Sequence, residues 1–198
     1  MTSKLTQLTE QKTDAQLKTL SDESFKWLKT KIVDLRNPTS ISRDILKEKD
    51  RFTTKIKLGF LYFYFYDPKT KSSLPYYDRF PLVLVLEKYS DGFLGLNLHY
   101  LPIKYRIAFL SKLRSIAVLN DSDDIKRMRV SYEILNASRR YKAFRPCLKK
   151  YLYGHLKSKI IAIKPNEWDV ASMLPVHQFK GAKPTQIWKD SIEEIRNN

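Results

Sequence analysis

The segment with the clearest chemical character is ASRRYKAFRPCLKKYLYGHLKSK, residues 137–159, in which basic residues are interleaved with aromatic ones. Lysine and arginine bind phosphate oxygens and release counterions, and exposed aromatic rings stack on bases. From Arg139 to Lys164 the chain contains nine basic residues and no acidic one. A run of one charge repels itself in a folded protein, so it indicates a polyanionic partner. We expect DNA; the alternatives are an acidic protein surface, anionic lipid, or a solubilising surface that binds nothing.

The predicted nucleic-acid contacts also include basic residues on the polar side of a helix predicted to begin at Ser122. No zinc-finger, homeodomain or RNP-type motif occurs, so we expect binding that does not depend on base sequence. Of the aromatic residues in the basic segment, Phe144 and Tyr151 are expected to pack in the core. The complete set of candidate contacts is Lys126, Arg127, Arg129, Arg139, Arg140, Lys142, Arg145, Lys149, Lys150, Lys157 and Lys159.

Motifs for covalent catalysis, nucleotide binding and metal binding are missing from the sequence. There is no P-loop, GxGxxG, GxSxG, CxxC or HExxH pattern, and the three histidines are far apart. We expect His99 to be a strand residue whose ring bonds a neighbouring backbone group. Cys147 lies among basic residues that favour a reactive thiolate, but we expect it to be a small buried side chain. The sequence therefore predicts a non-enzymatic protein with no cofactor, metal or small-molecule substrate.

One enzymatic alternative is a metal-dependent nuclease. Such sites need two acidic groups to hold Mg²⁺ and a lysine to stabilise charge. Asp67-Pro68-Lys69 supplies an acid and a lysine after a predicted strand, and Asp50 or Asp78 would be the second acid. The competing interpretation is an ordinary Asp-Pro turn, which we favour because the proline interrupts the strand where the lysine must project.

The overall charge and composition describe a folded, strongly basic protein. The 198 residues have a formal net charge of +16 and are 42% hydrophobic. Residues 101–164 contain sixteen Lys and Arg against four Asp and Glu, which is a local net charge of +12. No apolar run is long enough to span a membrane, and the polar N-terminus does not resemble a secretion signal. A single cysteine fits assembly in a reducing cytoplasm.

The pattern along the chain predicts an α+β fold, with a small antiparallel sheet or an SH3-like barrel wrapped by several helices. We divide the chain into an N-terminal helical arm, residues 1–55, and an α+β core domain with a basic helical face, residues 56–198. The arm includes predicted helices over 22–35 and 40–49. Predicted strands cover 56–66, 82–87, 93–100 and 158–164, and further predicted helices cover 102–118, 122–135, 147–156, 166–174 and 185–196.

The most apolar part of the chain is LPYYDRFPLVLVLEKYSDGFLGLNLHYLP, residues 74–102. Asp91-Gly92 is typical of a tight hairpin turn between two buried strands. Four polar residues interrupt this stretch, and we expect them to form local hydrogen bonds: Asp78, Arg79, Asn97 and His99. We interpret the hairpin as the scaffold of the fold.

The run YDPKTKSSLPYYDRFPLVLVLEKYSDGFLGLNLHYLP, followed by Arg106 and a distal FKGAKPTQIW, resembles small basic virion-associated proteins of contractile-tailed bacteriophages. Among these the chain is most similar to the DNA end protector family. The resemblance covers about Gly59 to Leu113 and, more loosely, Trp168 to Ser191. It implies a virion protein, assembled in the host cytoplasm, that binds the ends of packaged linear DNA and shields them from exonuclease. It implies no catalytic residues.

A second hypothesis belongs to a different class of protein. The chain would be a structural subunit of the phage tail, neck or baseplate, with its basic face against other virion proteins. Under this hypothesis residues 1–20 order against another chain, whereas a monomeric DNA-binding protein leaves them mobile.

Overall fold

The computed structural model describes residues 52–117, 142–164, 168–173 and 176–197. The predicted helices at 22–35, 40–49 and 122–135, and most of the 1–55 arm, lie outside these ranges. The described strands are β1 (Phe52–Thr53), β2 (Leu61–Phe63), β3 (Tyr77–Asp78), β4 (Leu82–Lys88), β5 (Gly92–Asn97), β6 (Leu148–Leu152), β7 (Ile160–Ile163) and β8 (Phe179–Lys180). The α-helices are α1 (Ile103–Ala117), α2 (Trp168–Met173) and α3 (Pro184–Asn197), and 3-10 helices cover Leu98–Tyr100, Lys142–Cys147 and Tyr153–His155.

The chain forms two compact units, which we describe separately. The sheet unit comprises the described residues of 50–101, 122–163 and 177–198, and it contains all of the strands that the structure describes. The helical unit contains α1 and α2. The division into a 1–55 arm and a 56–198 core remains a prediction, although β1 at Phe52–Thr53 pairs within the sheet.

The main sheet has six antiparallel strands in the order β1-β7-β2-β4-β5-β6. The α+β class and the antiparallel sheet are therefore confirmed. Within the described part of the chain the order is linear, with β1 and β6 at the two ends, so the SH3-like barrel is not confirmed. The predicted strand at 158–164 corresponds to β7, which lies between β1 and β2.

The predicted hairpin is formed by β4 and β5. Its turn closes with a hydrogen bond from the Tyr89 amide to the Gly92 carbonyl at 2.8 Å. Gly95 lies opposite Val85, and a side chain there would collide with Cγ1 of Val83. The sequence Asp91-Gly92 thus fixes the turn, and Gly95 allows the two strands to approach closely.

Both faces of the main sheet are buried, as the apolar strands predict. One face carries an aromatic cluster with Tyr62, Tyr64, Tyr66, Phe93 and Tyr151. The other face is mainly aliphatic, and its buried members include Leu61, Phe63, Leu82, Leu84, Leu96, Ile161 and Ile163. Successive side chains on a strand point to opposite faces of the sheet, so the residues of the aromatic cluster and those of the aliphatic face occupy alternating positions along the strands.

Three predicted elements differ from the structure. The strand expected over 56–66 is regular only at β2, because Gly59 takes a φ of 75°, a left-handed conformation that breaks an extended strand. The strand expected over 93–100 ends at Asn97, whose side chain accepts the His99 amide and caps a 3-10 helix. The helix expected over 147–156 is wrong, because Leu148–Leu152 pairs with β5 as strand β6.

In the helical unit, α1 begins just after Pro102, as predicted. Its buried residues Arg106, Leu110 and Leu113 follow a helical spacing. The Arg106 guanidinium donates to the Ser172 carbonyl of α2 at 3.3 Å, and both residues are fully buried. A backbone carbonyl near a helix C-terminus is a favourable acceptor for a cation, so this contact holds α1 against α2.

The sheet unit also contains a two-stranded sheet, β3 with β8, and the C-terminal helix α3. Pro184 begins α3, and the indole Nε1 of Trp188 donates to the His99 carbonyl at 2.8 Å. The predicted helix over 185–196 is therefore confirmed. None of the helices in the described ranges is both long and apolar enough to cross a membrane.

Candidate nucleic-acid interface

The structure describes the side chains of five of the eleven predicted contact residues: Arg145, Lys149, Lys150, Lys157 and Lys159. Lys142 begins a 3-10 helix, but only its backbone is described. The other five lie outside the described residues: Lys126, Arg127, Arg129, Arg139 and Arg140. The described residues 142–163 carry six basic residues and no acidic one.

Lys149 and Lys150 are consecutive on β6 and have different environments. The Lys149 ammonium lies over the Tyr100 ring, 4.6 Å from its centroid, and burial lowers the pKa of this lysine. The Lys150 ammonium is exposed and donates to Oδ2 of Asp91 at 2.9 Å, beneath the hairpin turn. Because side chains alternate along a strand, the two lysines cannot contribute to one patch. Only Lys150 of this pair is well placed for a phosphate.

The remaining described contacts lie on three different segments. Arg145 is 64% exposed, with its Nε 3.9 Å from Oε1 of Glu194 on α3. Lys157 follows the last 3-10 helix and is exposed. Its positive charge, like that of Lys71, favours the ionised carboxylate of Asp67. The hydrogen bond from Lys71 is the main reason why the pKa of Asp67 is lowered, and the charges of Lys71, Lys157 and His155 act in the same direction.

Lys159 is exposed just before β7, with its ammonium 6.0 Å from the centroid of the Phe52 ring. Within the described part of the chain, no carboxylate lies within ion-pair distance of Lys157 or Lys159. Among the five described candidate contacts, these two lysines therefore have the positive charges that are most available to a phosphate.

The aromatic residues of the basic segment mostly serve the core. Tyr151 is 4% exposed and packs edge-on against Tyr64 and Tyr66. Tyr153 is half-buried against Phe93. Burial raises the pKa of Tyr64 and of Tyr151 well above the usual value for tyrosine. Packing of Tyr151 is confirmed, Phe144 is half-buried, and Tyr141 lies outside the described residues. Base stacking by Tyr151 is thereby excluded in this conformation.

A family model described as Phage T4 terminal DNA protecting protein matches residues 6–190 of the chain. The chain belongs to this family. The match is wider than the resemblance of the hairpin motif, since it begins at residue 6 and includes most of the segment 1–55. No curated protein and no solved structure matches the chain.

Three of the four polar residues of the hairpin motif, Asp78, Asn97 and His99, are buried and have a structural role, whereas Arg79 is exposed. Oδ1 of Asp78 accepts the amides of Phe80 at 3.0 Å and Gln178 at 3.2 Å. Oδ2 accepts Asn97 Nδ2 at 3.3 Å and lies 2.6 Å from Nδ1 of His99. The expected local hydrogen bonding is confirmed in part, because Asp78 and Asn97 each accept the amide two residues ahead, but other bonds of the network join segments about 20 and 100 residues apart.

This network corrects the expectation for His99, which lies in a 3-10 helix and whose ring bonds a carboxylate. It also bears on the nuclease alternative, because four hydrogen bonds already occupy the two carboxylate oxygens of Asp78. Asp67 is held by Lys71 at 3.0 Å. Among the described residues there is no cluster of three or more His, Cys, Asp or Glu that could hold a metal ion.

The sequence-based selection of contact residues omitted one exposed pair, Lys104 and Tyr105, and one member of a second pair, Lys71. Lys104 lies over the ring of Tyr105 at 5.2 Å, and Tyr105 is 49% exposed. Lys71 and Lys157 meet near Asp67 although they are 86 residues apart. Helical periodicity marks Tyr105 as an outward position, so the first pair was accessible to sequence reasoning. The proximity of Lys71 and Lys157 depends on strand pairing, which local sequence patterns do not reveal.

Proposed function

We propose that this protein is a non-enzymatic virion component that binds the ends of packaged linear duplex DNA and shields them from exonuclease. The observation that carries the proposal is the family match over residues 6–190. The acid-free basic segment at 142–163 supports it, because phosphate contacts require exposed cations. No cofactor or metal takes part in this proposal.

In this proposal the phosphate contacts come first from Lys157 and Lys159, which have no ion pair among the described residues. Arg145 and Lys150 contribute when a phosphate replaces the carboxylate that each of them contacts, Glu194 for Arg145 and Asp91 for Lys150. Exposed ion pairs contribute only about 0–1 kcal/mol, so a phosphate competes readily for these cations. Lys149 contributes through packing rather than through a phosphate contact.

The proposal is tested by exonuclease digestion of linear duplex DNA with and without the protein, from ~50 to ~200 mM salt. We expect protection at low salt and a steep loss as the salt concentration rises. A Lys157→Glu, Lys159→Glu double variant should lose protection. Its salt slope, which is the slope of log K for DNA binding against log salt concentration, should be smaller in magnitude by about 1.8. A Lys183→Glu, Lys189→Glu double variant is the matched control, with the same charge change outside the basic segment.

The proposal is wrong if the wild-type protein gives no protection at the lowest salt concentration, or if its binding does not depend on salt. Equal effects of the two double variants would instead show that net charge alone governs binding. Failure to protect, together with stable incorporation into particles, would favour the structural-subunit hypothesis.

A further inference from the structure

Two aromatic side chains are exposed within the described part of the chain, and each lies beneath a lysine. Tyr89 at the hairpin turn is 38% exposed, and the Lys150 ammonium lies 5.0 Å from its centroid. Tyr105 on α1 is 49% exposed, and the Lys104 ammonium lies 5.2 Å from its centroid. Each pair places a π-face beside a positive charge, which is the combination that proteins use to bind an unpaired or terminal base.

The surroundings of the two tyrosines differ in charge. The Tyr89 hydroxyl donates to Oε2 of Glu87 at 2.8 Å, and the lysine above its ring is bound to Asp91. Two carboxylates therefore flank this ring and repel phosphate. Residues 101–120, which include α1, contain four basic residues and no acidic one. Lys104 forms no ion pair with any described residue.

Within α1 the exposed and the buried positions are also separated. Arg106 faces inward and is fully buried on the Ser172 carbonyl, together with Leu110. Lys104 and Tyr105 are exposed in the first turn. Since the buried stripe already anchors the helix, neither Lys104 nor Tyr105 is needed for that packing.

Recognition of a DNA end requires a contact that the interior of a duplex cannot offer. Phosphate contacts occur along the whole duplex and fix position without marking an end. A terminal base pair differs because one of its faces is not covered by a neighbouring pair. An exposed aromatic ring can cover that face without regard to base identity.

We propose that Tyr105 stacks on the terminal base pair of a DNA end while Lys104 contacts a phosphate of the same end. This inference rests on the proposed function and adds the residue that distinguishes an end from the duplex interior. The ligand is a duplex end of any sequence.

The test compares binding of the full-length protein to two duplexes of the same sequence, one linear and blunt-ended and one closed at both ends by hairpin loops. The linear duplex carries 2-aminopurine at the terminal or the central position. For the wild type we expect tighter binding to the linear duplex and a fluorescence change for the terminal probe only. Tyr105→Ala should weaken binding to the linear duplex by about 5- to 150-fold, with unchanged affinity for the closed duplex.

Tyr105→Trp should keep the preference for linear DNA, because an aromatic ring is retained. Tyr89→Ala is the matched control, since it removes the other exposed tyrosine, and it should also keep the preference. Circular dichroism and urea unfolding establish that each variant is folded.

The outcomes separate the two proposals. If the wild type binds linear and closed DNA equally, the proposed function fails, and this inference fails with it. If the wild type prefers linear DNA and folded Tyr105→Ala keeps that preference, only this inference is overturned. A Tyr105→Ala variant that loses affinity for both duplexes equally also overturns it, because Tyr105 would then be a general DNA contact.

Discussion

The ring nitrogen Nδ1 of His99 lies 2.6 Å from Oδ2 of Asp78, and the two side chains are 0% and 1% exposed. The second oxygen of Asp78 accepts the amides of Phe80 and Gln178. One buried carboxylate thereby connects the segment before β4, the end of β5 and the chain that leads into β8. Such a pair is structurally important because a charge left without its partner in the interior is costly.

Replacing Asp78 by alanine should therefore lower the free energy of unfolding by about 3–5 kcal/mol, because His99 and two amides lose their acceptor. Urea unfolding followed by circular dichroism measures this change. Asp67→Ala is the control, since Asp67 forms an exposed pair with Lys71 and should cost at most about 1 kcal/mol. Equal effects of the two substitutions would contradict a structural role for the buried pair.

The stability should also depend on pH through Asp78. Burial raises the pKa of this carboxyl, but the charge of His99 and the hydrogen bonds from His99, Phe80 and Asn97 outweigh burial, so the net pKa is lowered. A carboxyl with a lowered pKa in the folded state stabilises the fold above its unfolded pKa of about 3.9. That contribution is lost as the pH falls through the folded pKa.

We therefore expect the unfolding free energy of Asp78→Asn to change less than that of the wild type between about pH 4 and the folded pKa. Urea unfolding at a series of pH values measures both curves. Parallel curves for the two proteins would show that Asp78 does not carry the acid sensitivity.

Gly95 should be intolerant of a side chain. An added Cβ would collide with Cγ1 of Val83 and lie 2.7 Å from the Leu84 carbonyl oxygen, which belongs to the paired strand. Gly95→Ala should destabilise the fold by about 1–3 kcal/mol, as overpacking generally does. Gly154→Ala is the control, because nothing lies within 4 Å of an added Cβ there, and it should change stability by less than about 0.5 kcal/mol. A thermal or urea unfolding comparison distinguishes the two.

The adjacent lysines of β6 should respond differently to substitution. Lys149→Ala removes a half-buried stem and the contact with Tyr100, so it should cost roughly 1–2 kcal/mol of stability and leave the salt slope of DNA binding nearly unchanged. Lys150→Ala should cost at most about 1 kcal/mol but reduce that slope by about 0.9. Unfolding and salt-titrated DNA binding measure the two effects. A reduced salt slope of DNA binding for Lys149→Ala would contradict the assignment of Lys149 to packing rather than to a phosphate contact.

Local sequence signals predicted the elements that depend on short-range chemistry. Asp91-Gly92 indicated the hairpin turn, and the apolar runs on either side of it indicated β4 and β5. Pro102 and Pro184 lie at or next to the starts of α1 and α3, where proline is favoured. The predicted helix over 102–118 corresponds to α1.

Prediction failed where long-range pairing overrides local preference. Residues 148–152 have no strong strand pattern, and they are extended because β5 offers them a partner edge. Their conformation also changes the candidate site, since Lys149 and Lys150 lie on opposite sides of a strand rather than along one helix face. No sequence window contains β5 and β6 together, so local patterns do not reveal this pairing.

The sequence by itself determined the charge, the acid-free basic segment, the hairpin and the family, because these depend on composition and on residues close together in the chain. Only the tertiary structure decided which basic residues remain available. It placed Glu194 beside Arg145, Asp91 beside Lys150 and Asp67 near Lys157, although the members of each pair are between 49 and 90 residues apart. Folding brings these charges together because the strands and helices that carry them are neighbours in space, and this proximity cannot be inferred from their separation along the chain.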